Sequence, residues 1–356
     1  MPVTTVRGVI EADQLGVTSA HEHLLIDLSN QFRPFDEPEK NLLAEQKISL
    51  ANVGVLTRNP LALKDNLILD EVDVSAAEAS LFKKAGGGTI VDLTSIGLGR
   101  RPADLRRISE ISGVHVVAGC AYYYADTHPK DMDGKTVEQI KREIIHDLQV
   151  GIDGTDVRAG VIGEIGISPE MHPNEEKVLI AAAQAQAESG AGIHVHIFAW
   201  TNNGEFPLGL KALDILEKHG ARADKVTIDH VDVAVGIKLD YCQEIVRRGA
   251  YIEFDNFGHE FYVDRRDRKF IPGSFATDVQ RAEAIKFLVD AGCVDKIQLA
   301  NDVCVKNMWH RYGGWGYDHL LLNAVPMLLE KGVSQKDIDT MLVDNPRKFL
   351  NIPAKR

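Results

Sequence analysis

Cysteine is scarce in this chain. The four residues Cys120, Cys242, Cys293 and Cys304 are spread through 356 positions and form no CxxC pair. That spacing excludes a zinc ribbon and a disulfide framework, and buried thiols in a reducing cytoplasm are the simpler reading. No run of ~18 apolar residues occurs, so no membrane span is expected. Residues 1–17 mix Thr, Arg, Glu and Asp and lack a signal-peptide core. Positive charge is also short: 40 Lys and Arg stand against 52 Asp and Glu, for a net charge of −12. No dense basic block offsets this, which argues against a general nucleic-acid or anionic-membrane binder. No proline- or serine-rich linker divides the chain.

Hydrophobic residues at 44% and charged residues at 26% are ordinary for a soluble globular protein. Eight short apolar, β-branched segments stand out, at 17–23, 88–93, 114–119, 159–165, 191–197, 226–230, 250–254 and 296–300. Amphipathic stretches lie between them, at 76–85, 103–112, 137–151, 175–189, 209–219, 237–248 and 277–291, with 317–330 and 335–342 after the last. Strand and helix alternation predicts parallel βα units. Eight units point to an α/β fold, a single (β/α)8 TIM barrel spanning 1–356 as one domain.

Asn174 and Ser334 read as helix N-caps, and Gly190, Gly220, Gly249 and Gly292 as C-terminal stops. The first unit is irregular, with residues 24–84 forming a long insert expected over the barrel mouth. Gly86-Gly87-Gly88 precedes a strand rather than a helix, so a plain turn is expected there, not a phosphate cradle.

A (β/α)8 barrel carries its site at the C-terminal strand ends. There the sequence places His21-Glu22-His23, Glu164, His194-Val195-His196, Asp229-His230-Val231-Asp232 and Asn301-Asp302. Residues i and i+2 of a strand share a face, so each HxH pair can grip one ion while Glu22 points away. One HxH alone reads equally as two satisfied polar side chains. Histidines and carboxylates on five strand ends together read as a metal site. Imidazole with carboxylate suits Zn, Mn, Fe or Co. The ligand count exceeds one tetrahedral ion, and a carboxylate-bridged pair of ions, which activates water for hydrolysis, accounts for it better.

The chain resembles the phosphotriesterase family of the amidohydrolase superfamily, most of all its phosphotriesterase-related branch. The resemblance runs along nearly the whole chain. It rests on Thr18-Ser-Ala-His-Glu-His-Leu-Leu, Gly86-Gly-Gly-Thr, Ala159-Gly-Val-Ile-Gly-Glu-Ile-Gly, His196, Asp229-His-Val-Asp, Asn301-Asp, Tyr312-Gly-Gly-Trp-Gly-Tyr and Asn345-Pro. It implies that His21, His23 and Asp302 bind the more buried ion and His196 and His230 the more exposed one. Glu164 would bridge the two, and His194 would stand beside the ligands. The founding phosphotriesterases use a carboxylated lysine as the bridge. Residues 159–170 contain no lysine, which makes efficient organophosphate hydrolysis doubtful and leaves metal-activated hydrolysis intact.

The expected function is a binuclear hydrolase using two divalent transition ions, zinc first. Its expected substrate is a lactone, a carboxyl ester or a small N-acyl amide. The alternatives are phosphate-ester hydrolysis and a metal barrel that binds a ligand without catalysis. Asp302 is expected to take the proton from the attacking hydroxide, with Asp232 and His259 as candidate relays; a surface or capping role is the competing reading of Asp232. Tyr123 is the candidate substrate contact of the Tyr122–Tyr124 run. Arg265, in the basic run 265–269, is placed to meet an anionic group or simply to be solvated. Trp309 and Trp315 are candidates for pocket wall or packing. A small-molecule substrate, no nucleic acid or membrane partner, a homodimer and a cytoplasmic location complete the expectation.

Overall fold

The computed structural model describes residues 2–197, 208–262 and 273–352. A hairpin of Pro2–Thr5 (β1) and Gly8–Glu11 (β2) precedes the first barrel strand, Val17–Glu22 (β3). Two short strands, Ile26–Asp27 (β4) and Ile68–Leu69 (β5), pair antiparallel at the base of the insert. The other seven barrel strands are Gly87–Asp92 (β6), His115–Ala118 (β7), Ile162–Ile167 (β8), Ile193–Ile197 (β9), Val226–Ile228 (β10), Tyr251–Phe254 (β11) and Ile297–Leu299 (β12). All eight predicted strands are present, with ends shifted by three residues at most.

The strands form two parallel ladders, β3-β6-β7 and β8-β9-β10-β11-β12. Backbone bonds outside the ladders cross the two seams, several between β7 and β8, including Gly163 N–H to Cys120 O at 2.5 Å, and one between β12 and β3. Gly160 N–H donates to Ala118 O at 2.9 Å, and Asp302 N–H donates to His21 O at 3.1 Å. The result is the α/β TIM barrel. All six residues of β6 and of β8 are buried, as expected of parallel strands covered on one face by helices and filled on the other.

Helices alternate with the strands, and their ends obey local chemistry. Thr136, Thr277 and Ser334 each accept a bond from the backbone N–H three residues on. Gly190 ends the helix Pro173–Ser189 in the left-handed conformation. The expected cap Asn174 is corrected: Pro173 occupies the first helical position, so His172 is the cap. Its Nδ1 accepts from Asn174 N–H at 3.1 Å, and the Glu175 carboxylate reaches back to His172 N–H at 2.8 Å. Gly86 to Gly88 form the turn and the first residues of β6, with no helix following.

The helix expected at 76–85 is Val72–Lys84, which closes the 24–84 stretch and packs Ala76, Ala79 and Phe82 into the main core. What remains has a small core of its own, in which Leu56, Ala62 and Leu63 pack with Phe35, Leu43 and Ile48.

Glu22 points away from the site, as strand alternation requires, but it is wholly buried. It accepts from Ser19 Oγ (2.6 Å), Asn301 N–H (3.0 Å), Asn301 Nδ2 (2.9 Å) and Val303 N–H (2.8 Å). One carboxylate thus ties the end of β12 to β3 across a seam that has few ladder bonds. Replacing Glu22 with Ala strands several buried donors at once, so a loss of about 3 kcal/mol or more in urea unfolding is expected. A loss under ~1 kcal/mol would show that the seam does not depend on it.

Candidate metal centre

The C-terminal ends of β3, β8, β9, β10 and β12 converge on Glu164, which is buried in β8. Two glycines make room for it. A side chain at Gly163 would meet His194 O at 2.6 Å, and one at Gly166 would meet Tyr124 N at 2.6 Å. Strands β7, β8 and β9 approach closely here because residues 163 and 166 have no Cβ.

The two Glu164 oxygens face different histidines. Oε1 lies 3.3 Å from His23 Nε2, while Oε2 lies 2.6 Å from His196 Nδ1, 3.6 Å from His230 Nε2 and 3.7 Å from His21 Nε2. Asp302 Oδ1 is 3.3 Å from His23 Nε2 and 3.9 Å from His21 Nε2. Sets of three, His21–Glu164–His230 and His21–His23–Asp302, bring their donor atoms within 4.8 Å of one another. His21 Nε2 is buried and has no hydrogen-bond partner. With Nδ1 turned toward Glu253 and Asp255, this nitrogen points between two carboxylates, the placement a metal ligand requires.

Groups behind the rings fix their orientation. His23 Nδ1 donates to Thr94 Oγ1 at 2.9 Å, and Thr94 in turn donates to Leu25 O. His230 Nδ1 pairs with Asp255 Oδ1 at 3.1 Å, and His21 Nδ1 lies 3.3 Å from both Glu253 and Asp255. Each of these three rings therefore turns its Nε2 toward Glu164. His230 and Asp302 sit at strand ends with φ of 59° and 50°. This left-handed backbone costs a non-glycine residue on the order of 1 kcal/mol.

Burial alone would raise the Glu164 carboxyl, but His196 foremost, with His23 and His230, holds it well below the usual carboxylate range. Burial would also raise Asp302; its hydrogen bond to His23 and the surrounding imidazoles bring it below normal. Burial pulls His23 down, yet Asp302 and Glu164 outweigh this and push it up to about 9. His196 is the exception, lowered by burial and by the neighbouring His230.

A cavity of about 770 Å³, open to solvent, lies over this cluster and is lined by His196, His230, His259, Asp302 and Tyr123. The Tyr123 hydroxyl is 3.1 Å from His196 Nε2. His259 Nε2 donates to the Asp302 main-chain oxygen at 2.8 Å. His259, Asp302 and Cys304 also bring donor atoms within 4.8 Å of one another. Asp232 stands behind the wall. Its oxygens are taken by Asn256 N–H (3.1 Å), Asn256 Nδ2 (3.2 Å) and the buried Arg281 Nε (3.1 Å). It does not line the cavity, which gives it the position of a support for Asn256 rather than of a direct proton carrier. Arg265 lies outside the described residues. Trp309 is wholly buried and donates to the Tyr317 hydroxyl, whereas Trp315 is half exposed over His319.

Three contributors escaped the sequence reading: Glu253, Asp255 and Arg281. The first two had a signal, acids at alternate positions of an apolar strand, hence on one face inside the barrel. His194 lies one layer deeper than His196, bonded to Asp229 at 3.1 Å and near Glu253 at 3.4 Å. Burial lowers its pKa, but these two carboxylates push it up to about 9.

A profile of the Phosphotriesterase family matches residues 1–350. The chain is 35% identical to an N-acetyltaurine hydrolase of Danio rerio, covering 98% of this chain and 97% of that one. A crystal structure of a resiniferatoxin-binding protein from Rhodobacter sphaeroides superposes with a TM-score of 0.93 at 37% identity, over 98% of this chain and 95% of that one. The phosphotriesterase homology protein from Escherichia coli, complexed with phosphate in its active site, gives 0.76 at 29% identity, over 95% and 100%.

The raised histidines set a pH dependence for the chelator-treated chain. A raised imidazole pKa adds stability below the ordinary value near 6.5, and that stability is lost as pH climbs through the folded value. With His23 and His194 both at about 9, the Tm of metal-free protein should fall between pH 6.5 and 9. The fall should shrink in His194→Gln. A Tm that stays flat across this window would contradict the charge arrangement.

Proposed function

Because the chain belongs to the phosphotriesterase family, we propose that this hydrolase is binuclear and acts on a lactone, a carboxyl ester or a small N-acyl amide. The observation that carries the reading is Glu164, whose two oxygens face separate histidines from three strands. His21, His23 and Asp302 would hold one ion, His196 and His230 the other, and Glu164 both. Zinc is the first choice, with manganese, cobalt and iron sharing these donors. Two such ions supply Lewis acidity for the substrate oxygen and lower the pKa of a water.

The chain's own groups carry the proton and position the substrate. Asp302 is held ionised and lines the cavity, so its carboxylate accepts a proton there and returns it to the leaving group. His259 is held beside it by its bond to the Asp302 main chain and is lowered by burial, which suits a neutral imidazole that relays that proton. Asp232 acts at one remove, fixing Asn256 and Arg281 behind the wall. The Tyr123 hydroxyl is the substrate contact nearest His196. The N-acetyltaurine hydrolase relatives support the amide class, and the absence of lysine at 159–170 weighs against a phosphotriester. The four free cysteines support a cytoplasmic setting.

A second reading, binding without turnover, is favoured by the likeness to the resiniferatoxin-binding protein. A ligand that raises Tm and is never consumed by metal-loaded protein would support it.

Mass spectrometry of the purified chain should find about two transition ions, and distinctly fewer in Glu164→Ala. Asp302→Asn should lose orders of magnitude in turnover on the best substrate of a lactone, ester and amide panel, while keeping its fold by circular dichroism. Near-normal turnover in that variant would overturn the role of Asp302. A metal content of one or none, unchanged by Glu164→Ala after reconstitution, would overturn the bridged site.

A further inference from the structure

Of the four cysteines, Cys304 alone is not buried. It lies in the loop after β12 and lines the cavity over Glu164, together with His259 and Asp302. These three side chains bring donor atoms within 4.8 Å of one another, which lets a single ion lie about 2.0–2.4 Å from each. Asp302 is shared with the cluster around Glu164. His259, after β11, and Cys304 are donors that the cluster does not use.

The His259 ring is held for such a role. The residue is 4% exposed, and its Nε2–H is committed to the Asp302 main-chain oxygen at 2.8 Å. Phe261 and Phe275 flank the ring, with centroids 5.3 and 6.2 Å away. The free lone pair is therefore on Nδ1, which has no hydrogen-bond partner among the described residues. An imidazole with one N–H tied to a carbonyl and the other nitrogen unpartnered is the usual state of a metal-ligating histidine. Cys304 brings sulfur, whereas His21, His23, Glu164, His196, His230 and Asp302 offer only nitrogen and oxygen. Sulfur selects softer ions such as zinc and cadmium over harder ones.

We propose that His259, Cys304 and Asp302 form a further cation site, separate from the two ions bridged by Glu164, which takes a thiophilic divalent ion and inhibits the enzyme. Coordination exchanges the Cys304 S–H bond for an S–metal bond and releases that proton to solvent. The ion occupies the lone pairs of Asp302 and His259, so the proton acceptor and its relay are withdrawn together. The site fills when such an ion exceeds what the bridged pair holds. Inhibition rests on the hydrolase reading above; binding at the site does not.

The test titrates cadmium(II) into full-length protein that already holds its tightly bound ions. The bridged pair has no sulfur ligand, so a thiolate-to-cadmium charge-transfer band reports the further site. One additional equivalent should bind with this band, and turnover should fall with the same midpoint. The band should vanish in Cys304→Ser. In His259→Gln its midpoint should rise about tenfold or more. Both variants should keep their tightly bound ions through dialysis, which shows that they fold. With zinc(II) as the inhibitor, the concentration for half-inhibition should likewise rise about tenfold or more in Cys304→Ser, each protein compared with its own uninhibited rate. No band in the wild type, a band that survives Cys304→Ser, or a midpoint unmoved in His259→Gln would overturn the site. A band without loss of turnover would overturn the inhibitory role while the site stands. If no substrate is hydrolysed at all, the hydrolase reading and the inhibitory role fall, and the band alone decides the site.

Discussion

A carboxylate buried at the heart of a barrel needs positive charge on both of its oxygens, and the mouth of this barrel is arranged around that need. Glu164 has almost no access to water, so an uncompensated charge there would be prohibitive. Four imidazoles surround it. Three of these rings are backed by Asp255, Glu253 and Thr94, all buried, and Asp302 faces two of them beside Glu164. Neutral imidazoles cannot offset these carboxylates, so cations, whether protons or metal ions, are required for the cluster to balance. That is the condition under which a metal site binds tightly and a catalytic carboxylate stays ionised.

The cluster exists only because the parallel barrel delivers five strand ends to one rim. His21 and Asp302 are 281 residues apart in sequence and meet across the β12–β3 seam. The seam has few ladder bonds, and the Glu22 carboxylate reinforces it from behind. Supports of this kind explain how His230 and Asp302 persist in left-handed backbone at the same rim. Arg281 does similar work on the far side, joining Asp232, Asp278 and the His259 carbonyl in one buried network.

Chemistry and selectivity come from different parts of the chain. The strand ends hold groups common to many hydrolytic metal sites. The cavity above them is shaped by loops: Leu28, Gln31, Pro60 and Leu61 from the insert, Tyr123 and Tyr124 after β7, and Phe261 and Phe275 after β11. Loops tolerate change better than the strands they connect, so one barrel can keep its mechanism and exchange its substrate.

The sequence by itself determined the strand count, the barrel and the rim residues. Parallel buried strands leave a plain signal in β-branched runs, and strand periodicity says which residues share a face. The HxH spacing put His21 with His23 and His194 with His196 on that logic alone. Period also predicted that Glu22 faces away, and the alternation of Glu253 and Asp255 held the same kind of information. Tertiary structure decided the rest. Only the register of β9 against its neighbours shows that His194 belongs to a deeper layer than His196. Only packing shows that Asp232 is enclosed by Arg281 and Asn256. The cavity is lined by the loops after β3, β7, β10, β11 and β12. Their mutual distances depend on three-dimensional closure, and no local pattern of residues encodes that.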